Sequence, residues 1–142
     1  MRPKKRILLI DSDETRQGIR RFLLETHGFA VFSASSAEEA RELCADYSPD
    51  AVVAAWPLAG ADLGRLLHQL HECSPAASSL LLADSAAAVP ESVMADAILP
   101  KGQCSAVQVL ERVRLLSARK RGPKKTVESI NHMMMLTERR IA

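Results

Sequence analysis

The sequence predicts an α/β domain built on a doubly wound parallel sheet. Short apolar segments and amphipathic segments alternate five times over about 115 residues, which is typical of repeated strand–helix units. The segment Ala51–Ala55 is apolar throughout, as in a central strand that helices cover on both faces. Ligands of such sheets gather at the carboxyl ends of the strands. The residue at the end of this strand, Ala55, is therefore the most informative position in the chain.

The first half of the chain contains two predicted strand–helix units. Arg6–Ile10 is a short apolar strand, and a helix follows over residues 14–27, with Ile19, Phe22 and Leu23 on one face and Gly28 at its end. A second strand at 30–33 precedes Ser36-Ala37-Glu38-Glu39, which matches a capping box. The apolar positions of the helix that begins there are Ala37, Ala40, Leu43, Cys44 and Tyr47.

The second half continues the alternation after the central strand. Asp62 is the predicted N-cap of a third helix, and strands are expected at 79–83 and 97–99 with a short helix at 86–94 between them. The buried stripe of the third helix is formed by Leu63, Leu66, Leu67 and Leu70. A last helix is predicted at 105–117, with Val109 or Leu110, Val113 and Leu116 facing inward.

The composition is typical of a globular protein without a transmembrane helix. The 142 residues are 47% hydrophobic and 25% charged, which suits one globular domain with a tail. No apolar run approaches the roughly 18 residues of a transmembrane helix, and the N-terminal run is too short for a secretory signal. The three isolated cysteines, Cys44, Cys73 and Cys104, are typical of thiols in a reducing cytoplasm, where we expect the protein.

The net charge of +2 conceals an acidic body with basic ends. Residues 7–118 hold eight basic and fifteen acidic side chains, a net charge of −7, whereas residues 119–125 carry five positive charges. We therefore divide the chain into a domain at 5–118, a basic linker at 119–125 and a tail at 126–142, in which a further helix is expected. The linker is either a solvated hinge or a contact for a polyanion, for which the candidates are Arg119, Lys120, Arg121, Lys124 and Lys125.

Four motifs occur in an order and spacing that resemble a known family. They are Ile7-Leu8-Leu9-Ile10-Asp11-Ser12-Asp13-Glu14, Pro49-Asp50, Gly60-Ala61-Asp62 and Ala95-Asp96-Ala97-Ile98-Leu99-Pro100-Lys101. The stretch from about Lys5 to Ala118 resembles the receiver domain of bacterial two-component response regulators. The resemblance implies a five-stranded sheet in the order 2-1-3-4-5. It also implies phosphoryl transfer from a histidine kinase to an aspartate at the end of the third strand, assisted by magnesium, a hydroxyl and a lysine.

The residues that this reaction needs are mostly missing. Ala55 stands at the acceptor position, Ser12 at the second acidic position and Ala83 at the hydroxyl position. Asp11 and Lys101 are retained, and we expect them to pair with each other; the alternative is that Lys101 still binds an anion. Asp13 is expected to cap the first helix. A shift of one residue in the comparison would bring Asp84 or Ser85 near the site, but neither replaces the acceptor.

The resemblance therefore implies a degenerate receiver that is not an enzyme, requires no cofactor and binds magnesium weakly or not at all. We expect it to act through contact with another signalling protein or output domain, independently of phosphorylation. Candidate contact residues are Trp56, Val89, Ile98 and Val107, although Trp56 could instead fill the vacated pocket. The alternatives are a DNA-associated regulator that uses its basic tail and, less favoured, a phosphorylation-dependent switch. A homodimer is compatible with the sequence, and a membrane partner is not expected.

Overall fold

A computed structural model of the chain describes residues 4–58, 60–85, 89–90, 93–101 and 105–118. Within these residues the chain alternates between strands and helices. In chain order the elements are β1 (Arg6–Ile10), α1 (Glu14–Thr26), β2 (Ala30–Ala34), α2 (Ala37–Tyr47), β3 (Ala51–Ala55), α3 (Leu63–Cys73), β4 (Ser78–Ala83), β5 (Ala97–Pro100) and α4 (Ala106–Ser117). No described helix has the length and apolar character needed to cross a membrane.

The five strands form one parallel sheet in the order β2-β1-β3-β4-β5, which confirms the predicted topology. All five residues of β3 are buried, as its uninterrupted apolar sequence predicts. Val52 and Ala54 belong to the apolar cluster on the side of α2 and α3, whereas Ala51 and Val53 belong to the cluster on the side of α1 and α4. The central strand therefore separates two cores, because successive side chains of a strand point to opposite faces.

Local capping sets where the helices begin. The side chains of Asp13, Ser36 and Asp62 each accept the backbone N–H three residues later, at the starts of α1, α2 and α3. The Ser105 side chain accepts the Gln108 N–H at the start of α4, and the Gln108 side chain accepts the Ser105 backbone N–H, which completes a capping box. Gly28 follows α1 with φ of 93°, a conformation that favours glycine. These contacts are local, which is why the sequence predicts the helix starts well.

The orientation of α1 differs from the prediction. Phe22 is 74% exposed and Ile19 58% exposed, whereas Leu24 is buried. The inner side of the helix carries Gln17 and Arg20 as well as Leu24, because both polar side chains bond to the end of β1. These bonds leave Ile19 and Phe22 outward, whereas Leu23, the third residue of the expected apolar face, is half-buried and packs against the core.

Two expectations for the segment between β4 and β5 are also wrong. Val89, Pro90, Val93 and Met94 are not helical, and the other residues of the expected helix at 86–94 lie outside the described residues. Val89 is buried against the cluster that contains Leu66 and Leu81, so it belongs to the core and not to a contact surface. An apolar residue in a connecting segment fills the space over α3 and β4, which sequence periodicity does not reveal.

Candidate functional site

The candidate site lies at the carboxyl-end edge of the sheet. Ile10 pairs with Ala54, so Asp11 follows β1 at the level where Ala55 ends β3. Ala55 pairs with Leu82, and Ala83 pairs with Pro100, which places Lys101 directly beyond β5. The topology therefore brings the sequence-predicted positions to one edge, as expected for ligand sites of open parallel sheets.

Backbone hydrogen bonds hold the loops that leave this edge. The Asp11 N–H donates to the carbonyl of Ala34 at 3.1 Å. The Trp56 and Lys101 N–H groups donate to Leu82 and Ala83, each at 2.6 Å. The backbone hydrogen bonds of the sheet thus continue one residue beyond β1, β3 and β5. They hold the backbone of Asp11, Trp56 and Lys101 in place.

Asp11 is a buried carboxylate whose two oxygens are both used by the protein. Its side chain is 1% exposed. One oxygen, Oδ1, accepts the backbone N–H of Asp13 at 2.9 Å, and Oδ2 accepts Nη1 of Arg20 at 2.8 Å. Nε of Arg16 lies 3.5 Å from the same Oδ2. The chain's own guanidinium groups therefore compensate this charge.

Arg20 and Gln17 belong to the site although the sequence pattern did not predict them there. The Arg20 side chain is only 12% exposed, and the Gln17 side-chain amide donates to the carbonyls of Asp11 and Ala34 at 3.2 and 2.9 Å. Arg16 and Arg20 stand one helical turn apart on α1, directly after the Asp11-Ser12-Asp13 segment. The i, i+4 spacing of Arg16 and Arg20 is the sequence signal that could have predicted both arginines near Asp11, since it places two cations on the same side of the helix.

The expected ion pair between Lys101 and Asp11 is wrong. Nζ of Lys101 donates instead to the backbone carbonyl of Trp56, at 2.9 Å. Arg20 holds the place beside Asp11 because α1 directs its long side chain towards the end of β1. Lys101 consequently ties the loop after β5 to the loop after β3.

Asp13 caps α1, as predicted. Its Oδ1 accepts the Arg16 backbone N–H at 2.9 Å, and this bond is the main reason that the pKa of the carboxyl lies below its usual value. Asp13 therefore stays ionised at neutral pH, on the outer side of the loop.

The remaining positions carry either buried methyl groups or exposed polar side chains. Ala55 and Ala83 are buried methyl groups, and Ser12 is exposed. Asp84 and Ser85 are also exposed, beyond the end of β4. The described residues thus offer no buried nucleophile at the acceptor position.

Trp56 and Ile98 are half-buried and pack against the cluster that contains Ala54 and Ala83. They contribute to the core as well as to the surface. Val107 is 55% exposed on α4 and remains a candidate contact residue. The expected tail helix at 126–142 lies outside the described residues, as do the polyanion candidates Arg119, Lys120, Arg121, Lys124 and Lys125.

The residues at this edge do not fit a magnesium ion. Magnesium requires an octahedron of oxygen ligands, usually with one or two carboxylates. Here one buried carboxylate is present, and both of its oxygens already accept hydrogen bonds from the chain. Among the residues that the structure describes, no three His, Cys, Asp or Glu side chains are grouped as metal ligands would be.

Comparisons with known proteins connect this geometry to a fold. No protein-family model matches the sequence, and no curated protein matches it. A CheY-like response regulator receiver domain protein from Methanospirillum hungatei JF-1 is 21% identical, with a TM-score of 0.73 over 81% of this chain and 94% of that one. The signal receiver domain of an HD domain-containing protein from Pseudomonas fluorescens Pf-5 is 24% identical, with a TM-score of 0.71 over 80% and 94% of the two chains.

A third similar structure covers more of the chain. It is a response regulator protein from Burkholderia pseudomallei, solved with a phosphorylated aspartic acid, a calcium ion and citrate. It is 24% identical, with a TM-score of 0.68 over 96% of this chain and 86% of that one. At these identities the likeness concerns the fold. The chain has the flavodoxin-like fold of CheY-like response regulator receiver domains.

Proposed function

We propose that this chain is a phosphorylation-independent receiver module of bacterial signal transduction that works by protein–protein contact. The observation that carries the proposal is the state of Asp11. Its buried carboxylate is neutralised by Arg20, whereas the acceptor position opposite it is the methyl group of Ala55. An internal guanidinium takes the electrostatic place of a metal ion, so the domain holds one charge arrangement without a ligand.

The outer surface supports a role in contact. Four large apolar side chains are more than half exposed on the helices of one face of the sheet: Ile19 and Phe22 on α1, and Val107 and Leu115 on α4. Single exposed apolar residues are ordinary on protein surfaces. Ile19 and Phe22 are neighbours at i, i+3, however, and the polar bonds of Gln17 and Arg20 keep them outward. This face is therefore available to a partner protein.

The decisive experiment is exposure to a phosphodonor. The full chain is incubated with a small-molecule phosphodonor and magnesium, and its intact mass is measured beside a phosphorylatable receiver domain that verifies the donor. We expect no adduct of about 80 Da, the mass of one phosphoryl group, on this chain. A stable adduct, mapped by peptide sequencing to any aspartate of the sheet edge, would overturn the proposal.

The basic segment 119–125 supports a second candidate, a DNA-associated regulator. Its five positive charges within seven residues contrast with the acidic domain. Binding that depends on phosphate contacts weakens steeply with salt, because bound counterions are released. Salt-sensitive DNA binding that is lost in Lys124→Ala/Lys125→Ala would favour this candidate over contact with a protein. If the unsubstituted chain and the Lys124→Ala/Lys125→Ala variant bound DNA equally well, these two lysines would be excluded as DNA contacts.

A further inference from the structure

An open groove of about 490 Å³ runs between the first halves of α2 and α3. It lies where both helices begin, and Gly60 and Ala61, in the loop before α3, line one end of it. Gly60 has φ of 71°, and a Cβ atom at this position would meet no other atom within 4 Å, so that end is open to solvent. The volume is within the range of sites that bind small molecules.

Two arginines from different helices line this groove. Arg41 on α2 and Arg65 on α3 are both exposed, and Nη1 of Arg41 donates to the neutral side-chain oxygen of Gln69 at 3.1 Å. In the part of the chain that the structure describes, neither guanidinium forms an ion pair with a carboxylate. The groove therefore carries uncompensated positive charge on a domain whose net charge is negative, and such a cleft concentrates anions.

The carboxylate of Asp62 lines the same groove. Its Oδ1 accepts the Arg65 backbone N–H at 3.2 Å and so caps α3, which means that the first turn of the helix is already satisfied by the chain. The other oxygen, Oδ2, accepts no hydrogen bond from any described residue. An anion in the groove would thus be held by the arginine side chains, and Oδ2 is available to a hydroxyl donor.

We propose that the groove between α2 and α3 binds a small phosphate monoester that carries a hydroxyl group. Arg41 and Arg65 hold the phosphate, because the planar guanidinium donors match phosphate oxygens in geometry and charge. A phosphate monoester carries a charge of about −1.5 to −2 at neutral pH, which suits two guanidinium groups. Asp62 accepts the hydroxyl of the ligand. The site is independent of the proposed function, since the ligand binds and leaves without transfer of its phosphoryl group.

The experiment follows the backbone amide signals of the full, ¹⁵N-labelled chain by nuclear magnetic resonance. Glycerol 3-phosphate is the first probe and inorganic phosphate the second, each titrated at a constant ionic strength of about 0.15 M kept with sodium chloride. We expect saturable shifts at Gly60 and Ala61 with both probes. Glycerol 3-phosphate should bind more tightly by about threefold or more, because its hydroxyl reaches Asp62. Equal affinities would overturn the role of Asp62.

Substitutions of the two arginines test how the phosphate is held. Arg41→Ala and Arg65→Ala should each weaken the binding of glycerol 3-phosphate by about tenfold, since each removes one charge-assisted contact. Arg65→Lys keeps the charge and loses the planar fork, so it should weaken binding less than Arg65→Ala does. Arg112→Ala is the matched control, because it removes an exposed arginine from α4 on the opposite face of the sheet, and it should leave the affinity unchanged.

Three results would overturn the proposal. Shifts confined to residues 119–125 would assign phosphate binding to the basic segment. Shifts that grow linearly with probe concentration, without saturation, would show that the groove is not a site. Equal weakening by Arg112→Ala and Arg65→Ala would show that only the net charge of the domain attracts the anion. Because the substituted side chains are exposed, the variants should remain folded, and the dispersion of their amide signals verifies this.

Discussion

Replacing Arg20 with alanine should destabilise the fold much more than replacing its neighbour Arg21. Arg20 Nη1 lies 2.8 Å from Asp11 Oδ2, and the two side chains are 12% and 1% exposed. Removing one partner of a buried ion pair typically costs about 3–5 kcal/mol, because the other charge is left uncompensated. Asp11 would keep the Asp13 N–H at 2.9 Å and the Arg16 guanidinium at 3.5 Å. We therefore expect a loss of about 2–3 kcal/mol in the free energy of unfolding.

Arg21→Ala is a close control, because it removes the same side chain from the same helix. Arg21 pairs with Glu25 at 2.6 Å, but both side chains are nearly half exposed. Exposed i, i+4 pairs contribute about 0.3–0.5 kcal/mol. Urea unfolding of both variants, followed by circular dichroism and Trp56 fluorescence at neutral pH, gives the comparison. Losses in the two variants that agree within about 0.5 kcal/mol would refute the argument that burial makes the Asp11–Arg20 pair important.

A double substitution tests the electrostatic part of this argument. Asp11→Asn in the Arg20→Ala background removes the uncompensated charge and keeps an amide oxygen that can accept the Asp13 N–H. The double variant should be more stable than Arg20→Ala alone, with a coupling of about 1 kcal/mol or more in the double-mutant cycle. Strict additivity of the two losses would show that the two side chains do not act as a pair.

Three further predictions concern separate parts of the molecule. Lys101→Met removes the 2.9 Å hydrogen bond to the Trp56 carbonyl. It should therefore change the fluorescence emission of Trp56 and reduce the free energy of unfolding by about 1 kcal/mol. Emission and stability identical to those of the unsubstituted chain would contradict this contact. Burial raises the pKa of Cys44 from 9.0 to about 12, so the folded state retains this proton more tightly than the unfolded chain does. The free energy of unfolding in reducing buffer should therefore fall as the pH rises above 9. The fall should reach at most about 1.4 kcal/mol per pH unit and be smaller in Cys44→Ala; an unchanged slope in that variant would contradict it. Phe22→Ala, at a 74% exposed position, should change the free energy of unfolding by less than about 0.5 kcal/mol. Leu66→Ala, at a 1% exposed position, should reduce it by about 2–5 kcal/mol. Similar losses for the two variants in urea unfolding would contradict the orientation of α1 or α3.

The elements and their order follow from local features of the sequence. Asp13, Ser36 and Asp62 cap helices within three residues of themselves, and the apolar run of β3 predicts its burial on both faces. The spacing Leu63, Leu66, Leu67 and Leu70 is enough to predict the buried side of α3. Each of these signals lies within one strand or one helix, so it can be identified from the sequence alone.

The sequence also determined which chemical groups are missing at the sheet edge. The topology requires Ala55 to end the central strand, and no folding of the rest of the chain can turn its methyl group into a nucleophile. Ser12 likewise supplies a neutral hydroxyl and not a second carboxylate. The residue types alone are therefore sufficient to show that neither position supplies a carboxylate.

Only the tertiary structure decided how the remaining groups are used. Asp11 could have paired with Lys101, but it pairs with Arg20 and Arg16, and this outcome depends on the rotation of α1 against β1. That rotation buries Arg20, exposes Phe22 and leaves Lys101 to bond with Trp56. The burial of Val89 in its connecting segment is decided in the same way. The physical reason is that these contacts join residues far apart in the chain, and several partners of similar chemistry compete for each one.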